Sequence, residues 1–128
     1  MKKQPEIIIS TADLAELEYQ IERIPHPDES IQALENELAR AKIVSFKSMP
    51  DDVVALDSQV TFKVLGTDRV FTKTLCLPSC MEKYEDAISV FAPIGSAIIG
   101  LSKGQSIEWQ IQGKQKSVEI VDVIKNIH

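Results

Sequence analysis

The sequence contains few of the residues from which most catalytic and metal sites are built. It has two cysteines, Cys76 and Cys80, and two histidines, His26 and His128, in 128 residues. A structural zinc site takes four Cys or His ligands, and both histidines lie in predicted turn or terminal segments. The sequence also has no P-loop or G-x-G-x-x-G motif for phosphate binding. It has no G-x-S-x-G nucleophile elbow either, because residues 100–104, Gly-Leu-Ser-Lys-Gly, carry these letters after a predicted helix and not after a strand. We therefore predict a non-enzymatic protein with no metal centre, no cofactor and two reduced thiols.

Long apolar runs and an excess of basic residues are also absent. Only three consecutive apolar residues, Ile7 to Ile9, occur near the N-terminus, and no window approaches the 18 residues of a membrane helix. Lys and Arg total 14 against 19 Asp and Glu, which gives a net charge of −5 at pH 7. This charge opposes binding to nucleic-acid phosphates. We expect a cytoplasmic protein with no membrane segment and no strong independent nucleic-acid binding.

The composition is that of a globular chain with a real hydrophobic core. Apolar residues make up 44% of the sequence and charged residues 26%, which is typical of soluble folded domains. The length allows one domain, or a short N-terminal element followed by a domain of roughly 75–80 residues. The apolar patterns favour the second arrangement, with a division at residue 50.

Residues 1–50 show the apolar spacing of two helices. The spacing 3, 4, 3 occurs twice, on either side of Pro25-His26-Pro27, and this pattern lines one face of a helix. The positions are Leu14, Leu17, Ile21 and Ile24, followed by Ile31, Leu34, Leu38 and Ala41. Two such stripes joined by a short turn predict an antiparallel coiled-coil hairpin. Because helices of about two heptads are marginal alone, the hairpin must pack on another part of the chain.

Residues 51–128 show mainly the period of two that is typical of strands. We predict strands near residues 60–64, 70–77, 88–91, 107–111 and 118–123, with turns at 66–68 and at Gly113-Lys114. Pro93 opens a short helix that ends at Gly100. Trp109 lies in an alternating strand and is expected to fill the core. The prediction is an α+β domain in which one short helix covers an antiparallel sheet.

Two groups of residues are candidates for function. Asp28 and Glu29 lie at the predicted hairpin tip, where paired carboxylates can hold a magnesium ion. We interpret them instead as helix-start residues, because Pro27 suits the first position of the second helix and acids are favoured in its first turn. The corner Phe91-Ala92-Pro93-Ile94 places apolar residues at a strand-to-helix junction. These residues either close the core or form an exposed contact patch, and the sequence favours neither reading.

Several segments resemble a known family. Residues 92–100, Ala-Pro-Ile-Gly-Ser-Ala-Ile-Ile-Gly, resemble the S-P-I-A-x-A-L-I-G segment of the Gre transcript-cleavage factors, and residues 103–107 resemble their K-x-G-D-x-V turn and strand. Residues 49–62, 74–78 and 89–93 and the Trp109 strand are similar to one branch of that superfamily, the regulators of nucleoside diphosphate kinase (Rnk). The resemblance extends over nearly the whole chain.

The resemblance implies a fold and a partner. The fold would be a short N-terminal antiparallel coiled coil followed by an FKBP-like half-open antiparallel sheet with one short helix. The partner would be bacterial RNA polymerase, at the β′ coiled coil on the rim of the secondary channel, in competition with other secondary-channel factors. By motif position, the polymerase contacts would be Phe91, Ala92, Pro93, Ile94 and Ser96. Where Gre factors have a polar residue and then Ser before the proline, this chain has Phe91-Ala92.

The predicted helices are too short for the cleavage activity of Gre factors. Residues 12–24 would extend only about 20 Å, and the Gre arm is roughly twice as long by residue count. We therefore expect Asp28 and Glu29 to stop short of the polymerase active site and not to stimulate transcript cleavage strongly. Any effect on nucleoside diphosphate kinase levels would then be indirect, through transcription.

Two other functions remain as alternatives. The hairpin could bind a kinase or another protein partner directly, without polymerase. The FKBP-like fold could also support peptidyl-prolyl isomerase activity, which needs an aromatic-lined pocket. The chain has only seven aromatic residues, of which Phe62, Phe71 and Trp109 lie in predicted strands, so we do not favour an isomerase.

Overall fold

A computed structural model describes residues 6–111 and 114–125. Its elements, in chain order, are β1 (Ile8–Ser10), α1 (Thr11–Glu22), α2 (Glu29–Arg40), β2 (Lys42–Val44), β3 (Ser58–Val64), β4 (Val70–Cys76), β5 (Ala87–Ser89), α3 (Pro93–Ile98), β6 (Ser106–Ile111) and β7 (Lys114–Lys125). Short 3-10 helices occupy Phe46–Ser48 and Pro78–Lys83. The predicted α+β class is confirmed. None of the helices in the described part of the chain has the length and hydrophobicity needed to cross a lipid bilayer.

The two predicted N-terminal helices are present, and each begins at a side-chain cap. The Ser10 hydroxyl accepts a hydrogen bond from the Asp13 amide at 3.1 Å, at the start of α1. On their inner faces, Leu17 and Leu34 are completely buried. The coiled-coil pairing of α1 with α2, the FKBP-like form of the sheet and the division at residue 50 stay predictions.

The sequence did not predict a two-stranded sheet that flanks these helices. β1 and β2 pair in parallel, with Ile9 opposite Ile43. The segment also docks on the end of α3, because the Ile8 amide donates to the Gly100 carbonyl at 3.0 Å. A Cβ atom at Gly100 would lie 2.8 Å from the Cβ of Ile7. Glycine at this position therefore allows the N-terminal strand to seat against the C-terminal part.

The second sheet has five strands in the order β5-β4-β3-β7-β6. The prediction of a purely antiparallel sheet is wrong at one edge, because β4 and β5 run in parallel. The 3-10 helix at Pro78–Lys83 carries the chain back between these two strands, so β5 enters the sheet in the same direction as β4. β5 also ends at Ser89, earlier than the predicted Phe91. A register shift between Thr61 and Phe62 marks a bulge where β3 pairs with β7.

One hydrophobic core joins the helices to the sheet. It combines residues of the N-terminal segment, the five-stranded sheet and α3. Its completely buried members include Leu17, Leu34, Val54, Val60, Leu75, Val90, Ile98, Leu101, Val118 and Ile120. Trp109 lies in β6, where it pairs with Lys116. The structure does not describe the Trp109 side chain, so the expectation that it fills the core stays a prediction. The predicted turn residue Gly113 and the terminal His128 also lie outside the described residues.

Candidate functional site

The junction between β5 and α3, residues Phe91–Ser96, is the candidate site, and we call it the β5–α3 corner. Ser89 organises its first turn, because the Ser89 hydroxyl accepts a hydrogen bond from the Phe91 amide at 3.1 Å. The Ser89 carbonyl accepts another from the Ala92 amide at 3.0 Å. The preceding residue, Val90, is completely buried, and its amide donates to the Cys76 carbonyl at 2.9 Å. The corner is thus fixed to the edge of the sheet.

The first turn of α3 holds Pro93 in a defined position. Pro93 occupies the start of the helix and is exposed, and its ring fixes the backbone angle that a helix needs. The Ser96 amide donates to the Ala92 carbonyl at 2.9 Å, and the Ser96 hydroxyl donates to the Pro93 carbonyl at 3.0 Å. Ser96 is only 5% exposed. It therefore supports the helix start and offers little surface to a partner.

Gly95 sets the distance between α3 and β5. A Cβ atom at this position would lie 2.0 Å from the Ser89 carbonyl oxygen and 3.0 Å from the Val90 Cα. Both neighbours are backbone atoms, which cannot move aside as a flexible side chain can. The helix consequently lies directly on the backbone of the sheet edge, and Pro93 is positioned by main-chain contacts.

The apolar residues of the corner are shared between the core and the surface. Phe91 and Ile94 pack against the core cluster but are only half-buried, and Ala92 is half-buried as well. The two readings left open by the sequence are therefore both partly correct. The surface of the corner consists of Pro93 with the outer parts of Phe91, Ala92 and Ile94.

The structure confirms Asp28 and Glu29 as helix-start residues. An Asp28 carboxylate oxygen accepts a hydrogen bond from the Ile31 amide at 3.0 Å, and Glu29 is the first residue of α2. Both side chains are exposed. The predicted position of Pro27 as the first helical residue is wrong, because Asp28 is the cap and Pro27 precedes it. Within the described ranges, no three His, Cys, Asp or Glu side chains form a group suited to a metal ion. Away from Asp28 and Glu29, helix α2 packs against α3, the helix of the β5–α3 corner.

Asp13 is an additional polar site that the sequence reasoning missed. Its carboxylate accepts a hydrogen bond from the Leu56 amide at 3.1 Å and so ties α1 to the loop before β3. Burial raises the pKa of Asp13, the Leu56 hydrogen bond opposes this, and the charge of Asp57 adds to the rise. The spacing of Ser10 and Asp13 is that of a capping box, which signals a helix start. This spacing does not indicate that the Asp13 carboxylate contacts Leu56, which lies 43 residues further along the chain.

A small cavity of about 60 Å³ lies beside Asp13. Lys125 lines it, and its ammonium group lies 3.4 Å from the Met49 carbonyl and 3.7 Å from a carboxylate oxygen of Asp51. The remaining lining residues are Ser10, Phe46, Met49, Ala55, Leu56 and Ser58. The cavity has room for about two water molecules. It lies between the helical segment and the sheet, and its lining is part polar and part apolar.

Comparison with known families assigns both parts of the chain. Residues 49–125 match the family described as "Transcription elongation factor, GreA/GreB, C-term". Residues 5–44 match the family described as "Rnk N-terminus". The two matches together span most of the chain and meet near the end of β2.

Individual relatives agree with these matches. The "Regulator of nucleoside diphosphate kinase" of Escherichia coli K12 is 37% identical over 111 residues, which cover 86% of this chain and 82% of that protein. The "Transcription elongation factor GreA" of Syntrophus aciditrophicus is 31% identical over 96 residues, which cover 75% of this chain and 60% of the relative. A solved structure, "Prokaryotic transcription elongation factor GreA/GreB from Nitrosomonas europaea", superimposes with a TM-score of 0.74 at 38% identity, covering 94% of this chain and 99% of the other. The chain therefore belongs to the GreA/GreB transcription elongation factor family, in the group that carries an Rnk N-terminus.

Proposed function

We propose that this protein is a non-enzymatic, cytoplasmic transcription regulator that binds bacterial RNA polymerase at the rim of the secondary channel. It competes there with other secondary-channel factors and affects nucleoside diphosphate kinase levels through transcription. The observation that carries this proposal is the exposed Pro93 on a rigid apolar corner, in a chain of the GreA/GreB family.

The corner has the physical properties of a preformed contact. Its surface is apolar. Its backbone is held by two hydrogen bonds, one to the hydroxyl oxygen and one to the carbonyl oxygen of Ser89, and by the close contact of Gly95 with the Ser89 backbone. A surface that is already ordered loses little conformational freedom on binding. We propose Phe91, Ala92, Pro93 and Ile94 as the contact residues, and Ser96 as the residue that supports Pro93 from inside.

The helices support the second part of the proposal, which is the lack of strong transcript-cleavage stimulation. α1 has 12 residues, so it extends only about 18 Å. At the start of α2, the Asp28 carboxylate already accepts a hydrogen bond from the Ile31 amide and so caps this helix. The helical segment would then orient the protein at the channel without delivering a metal-binding acid.

A titration with two matched proline variants tests the binding site. Pro93 and Pro78 are both exposed, and each is the first residue of a short helix that follows an edge segment of the sheet, with three residues between β5 and Pro93 and one between β4 and Pro78. Fluorescently labelled Pro93→Asp should bind core polymerase at least tenfold more weakly than the wild type, because it places a charge in an apolar contact. Pro78→Asp should bind normally. Equal affinities for both variants, or no saturable binding of the wild type at micromolar concentrations, would refute the proposal.

Two further assays test competition and cleavage. Added GreA should displace the labelled protein from core polymerase. In arrested elongation complexes, the protein should not shorten the transcript appreciably. Robust shortening that disappears in Asp28→Ala/Glu29→Ala would show that the tip does reach the active site, contrary to the proposal.

Direct binding to a protein partner is the alternative, and the charge of the helices favours it. Residues 11–40 contain eight acidic and two basic residues, so this segment carries −6 while the whole chain carries −5. An acidic surface of this kind suits a basic partner. Deleting the helices would expose the core around Leu17 and Leu34. The better probe is the double variant Glu16→Gln/Glu18→Gln, which removes two negative charges at exposed positions of α1. Binding to purified nucleoside diphosphate kinase that this pair weakens, without polymerase binding, would favour the alternative.

A further inference from the structure

The small sheet formed by β1 and β2 is open on one side. Among the described residues, β2 pairs with β1 alone, and the two strands run in parallel. The Lys42 amide donates to the Ile7 carbonyl at 2.9 Å, so the main chain of Lys42 faces β1. Because successive residues of a strand direct their main-chain groups to opposite sides, the N–H and C=O groups of Ile43 point away from β1. We call this free side, residues 42–47, the β2 edge.

Two large apolar side chains are exposed along the β2 edge. Ile43 is 39% exposed, and Phe46, in the 3-10 helix that follows β2, is 66% exposed. The Phe46 segment is nevertheless held in place. The Ser48 amide donates to the Ser45 carbonyl at 2.9 Å, and the Lys125 ammonium lies 5.8 Å from the centre of the Phe46 ring. An aromatic side chain that is already ordered loses little conformational freedom when a partner covers it.

The charge of the β2 edge is opposite to that of the whole chain. Residues 41–50 contain Lys42 and Lys47 and no acidic residue, whereas the chain carries −5. Both lysines are exposed. The nearest acids on either side along the chain lie in ion pairs with other basic residues, namely Glu37 with Arg40 and Asp51 with Lys125. The β2 edge is therefore a local basic site on an acidic protein.

The lysines determine which kind of strand suits this edge. In two copies of the chain paired edge to edge, the lysines of both copies would come together, and like charges on neighbouring strands are destabilising. A strand with acidic side chains would instead form favourable pairs with Lys42 and Lys47. Apolar residues between the acids would cover Ile43 and Phe46. Charge thus favours an acidic partner strand over a second copy of this chain.

We propose that the β2 edge is a docking site for an extended acidic segment of a partner protein, which adds to β1 and β2 as a third strand. The segment forms hydrogen bonds with the main chain of Ile43, its apolar side chains contact Ile43 and Phe46, and its carboxylates pair with Lys42 and Lys47. In strand addition of this kind, main-chain hydrogen bonds supply affinity and side chains supply specificity. The site uses no residue of the β5–α3 corner, so the proposal does not depend on polymerase binding.

A peptide titration tests this proposal directly. The probes are short fluorescein-labelled peptides in which Glu alternates with Val, Ile or Leu, and a second set in which Lys replaces every Glu. We expect saturable binding of the full-length protein to peptides of the acidic set and not to the basic set. N-methyl groups on alternate residues block one edge of a peptide. Of the two peptides methylated in alternate frames, one should lose binding and the other should keep it, because only one edge pairs with β2.

Nuclear magnetic resonance of the isotope-labelled protein locates the bound peptide. The Ile43 amide should shift and become protected from hydrogen exchange, because it gains a hydrogen-bond acceptor. The Lys42 amide already donates to the Ile7 carbonyl, so it should change little. Shifts that spare Ile43 would show that the peptide binds elsewhere and would overturn the proposal.

Two double variants with the same change of net charge test the role of the lysines. Lys42→Glu/Lys47→Glu should weaken binding of the acidic peptides by about tenfold or more. Lys83→Glu/Lys116→Glu, at exposed lysines outside the β2 edge, should bind as the wild type does. Phe46→Ser should weaken binding without reversing a charge. Thermal unfolding of each variant verifies that the fold is intact.

Three further results would each contradict the proposed docking site. The first is the absence of saturable binding to every peptide of the acidic set. The second is equal affinity of the two double variants, which would show that only net charge matters. The third is a wild-type dimer in sedimentation experiments in which the Ile43 amide is protected without any peptide, because a second copy would then occupy the edge.

Discussion

Gly95 in α3 and Ser89 in β5 approach each other so closely that no side chain fits between them. A Cβ atom at Gly95 would lie 2.0 Å from the Ser89 carbonyl oxygen. The same carbonyl oxygen accepts a hydrogen bond from the Ala92 amide at 3.0 Å. One peptide group of the sheet edge thus holds both the turn and the helix of the β5–α3 corner, and this places Pro93 on the surface.

We predict that Gly95→Ala destabilises the protein. Helix propensity alone would favour Ala by about 0.8–1.0 kcal/mol, but the overlap with Ser89 forces the helix away and should lower the free energy of unfolding by about 1–3 kcal/mol. Urea denaturation measures the change. Ala33→Gly, at an exposed position of α2, reports the size of the propensity effect alone. A gain in stability for Gly95→Ala would contradict the close contact.

We predict opposite effects for two substitutions of Asp13. Asp13→Ala leaves the partly buried Leu56 amide without its acceptor and should cost about 1–3 kcal/mol of unfolding free energy. Asp13→Asn keeps an oxygen acceptor and removes a charge that burial disfavours. At neutral pH we expect it to be at least as stable as the wild type.

The pH dependence of the Asp13 effect follows from the direction of its pKa shift. The pKa is raised in the folded protein, chiefly by burial, so the folded state holds this proton more tightly than the unfolded chain. The resulting stabilisation is full below the unfolded pKa and is lost as pH rises through the folded pKa. Asp13→Asn should therefore gain stability relative to the wild type between acid and neutral pH. A constant difference over that range would contradict the shift.

We predict that Tyr84 ionises at unusually high pH. Burial and its hydrogen bond to Asp57, at 3.0 Å, raise the pKa of Tyr84 to about 12. The stabilisation is present below about pH 10 and is lost as pH rises through about 12. Tyr19→Phe leaves Tyr84 as the only tyrosine, so the ultraviolet absorbance of phenolate reports it directly.

Asp57→Asn is the matched test of the cause of the Tyr84 shift. It removes the negative charge but keeps a residue that tolerates the positive φ of 69° found at Asp57. In the Tyr19→Phe background it should lower the ionisation midpoint toward 10. An unchanged midpoint would show that Asp57 does not contribute.

We predict that Asp28 contributes to stability as a helix cap. Asp28→Ala removes the acceptor of the Ile31 amide and should lower the free energy of unfolding by about 1 kcal/mol, whereas Asp28→Asn should change it by only a few tenths. Chemical denaturation measures both. Equal losses for the two variants would show that the charge, rather than the cap, is what matters.

The local elements of this fold could be predicted from the sequence because their signals are local. Leu17 and Leu34 belong to apolar stripes with helical spacing, and both prove to be completely buried. Pro93 begins α3 as predicted, and Gly100 follows it with a φ of 84°, a conformation that glycine adopts readily. The family resemblance also came from contiguous segments, and the comparisons confirm it.

Only the tertiary structure decided which of these residues meet. No pattern in the sequence indicated the parallel pairing of β1 with β2 or of β4 with β5, because β1, β2 and β5 have only three residues each and so show no measurable period. It placed Ser96 among the contact residues, although packing buries this side chain. The carboxylate of Asp13 finds its partner 43 residues away, at Leu56. Such contacts depend on how separate elements pack in space, and no pattern within a single element specifies them.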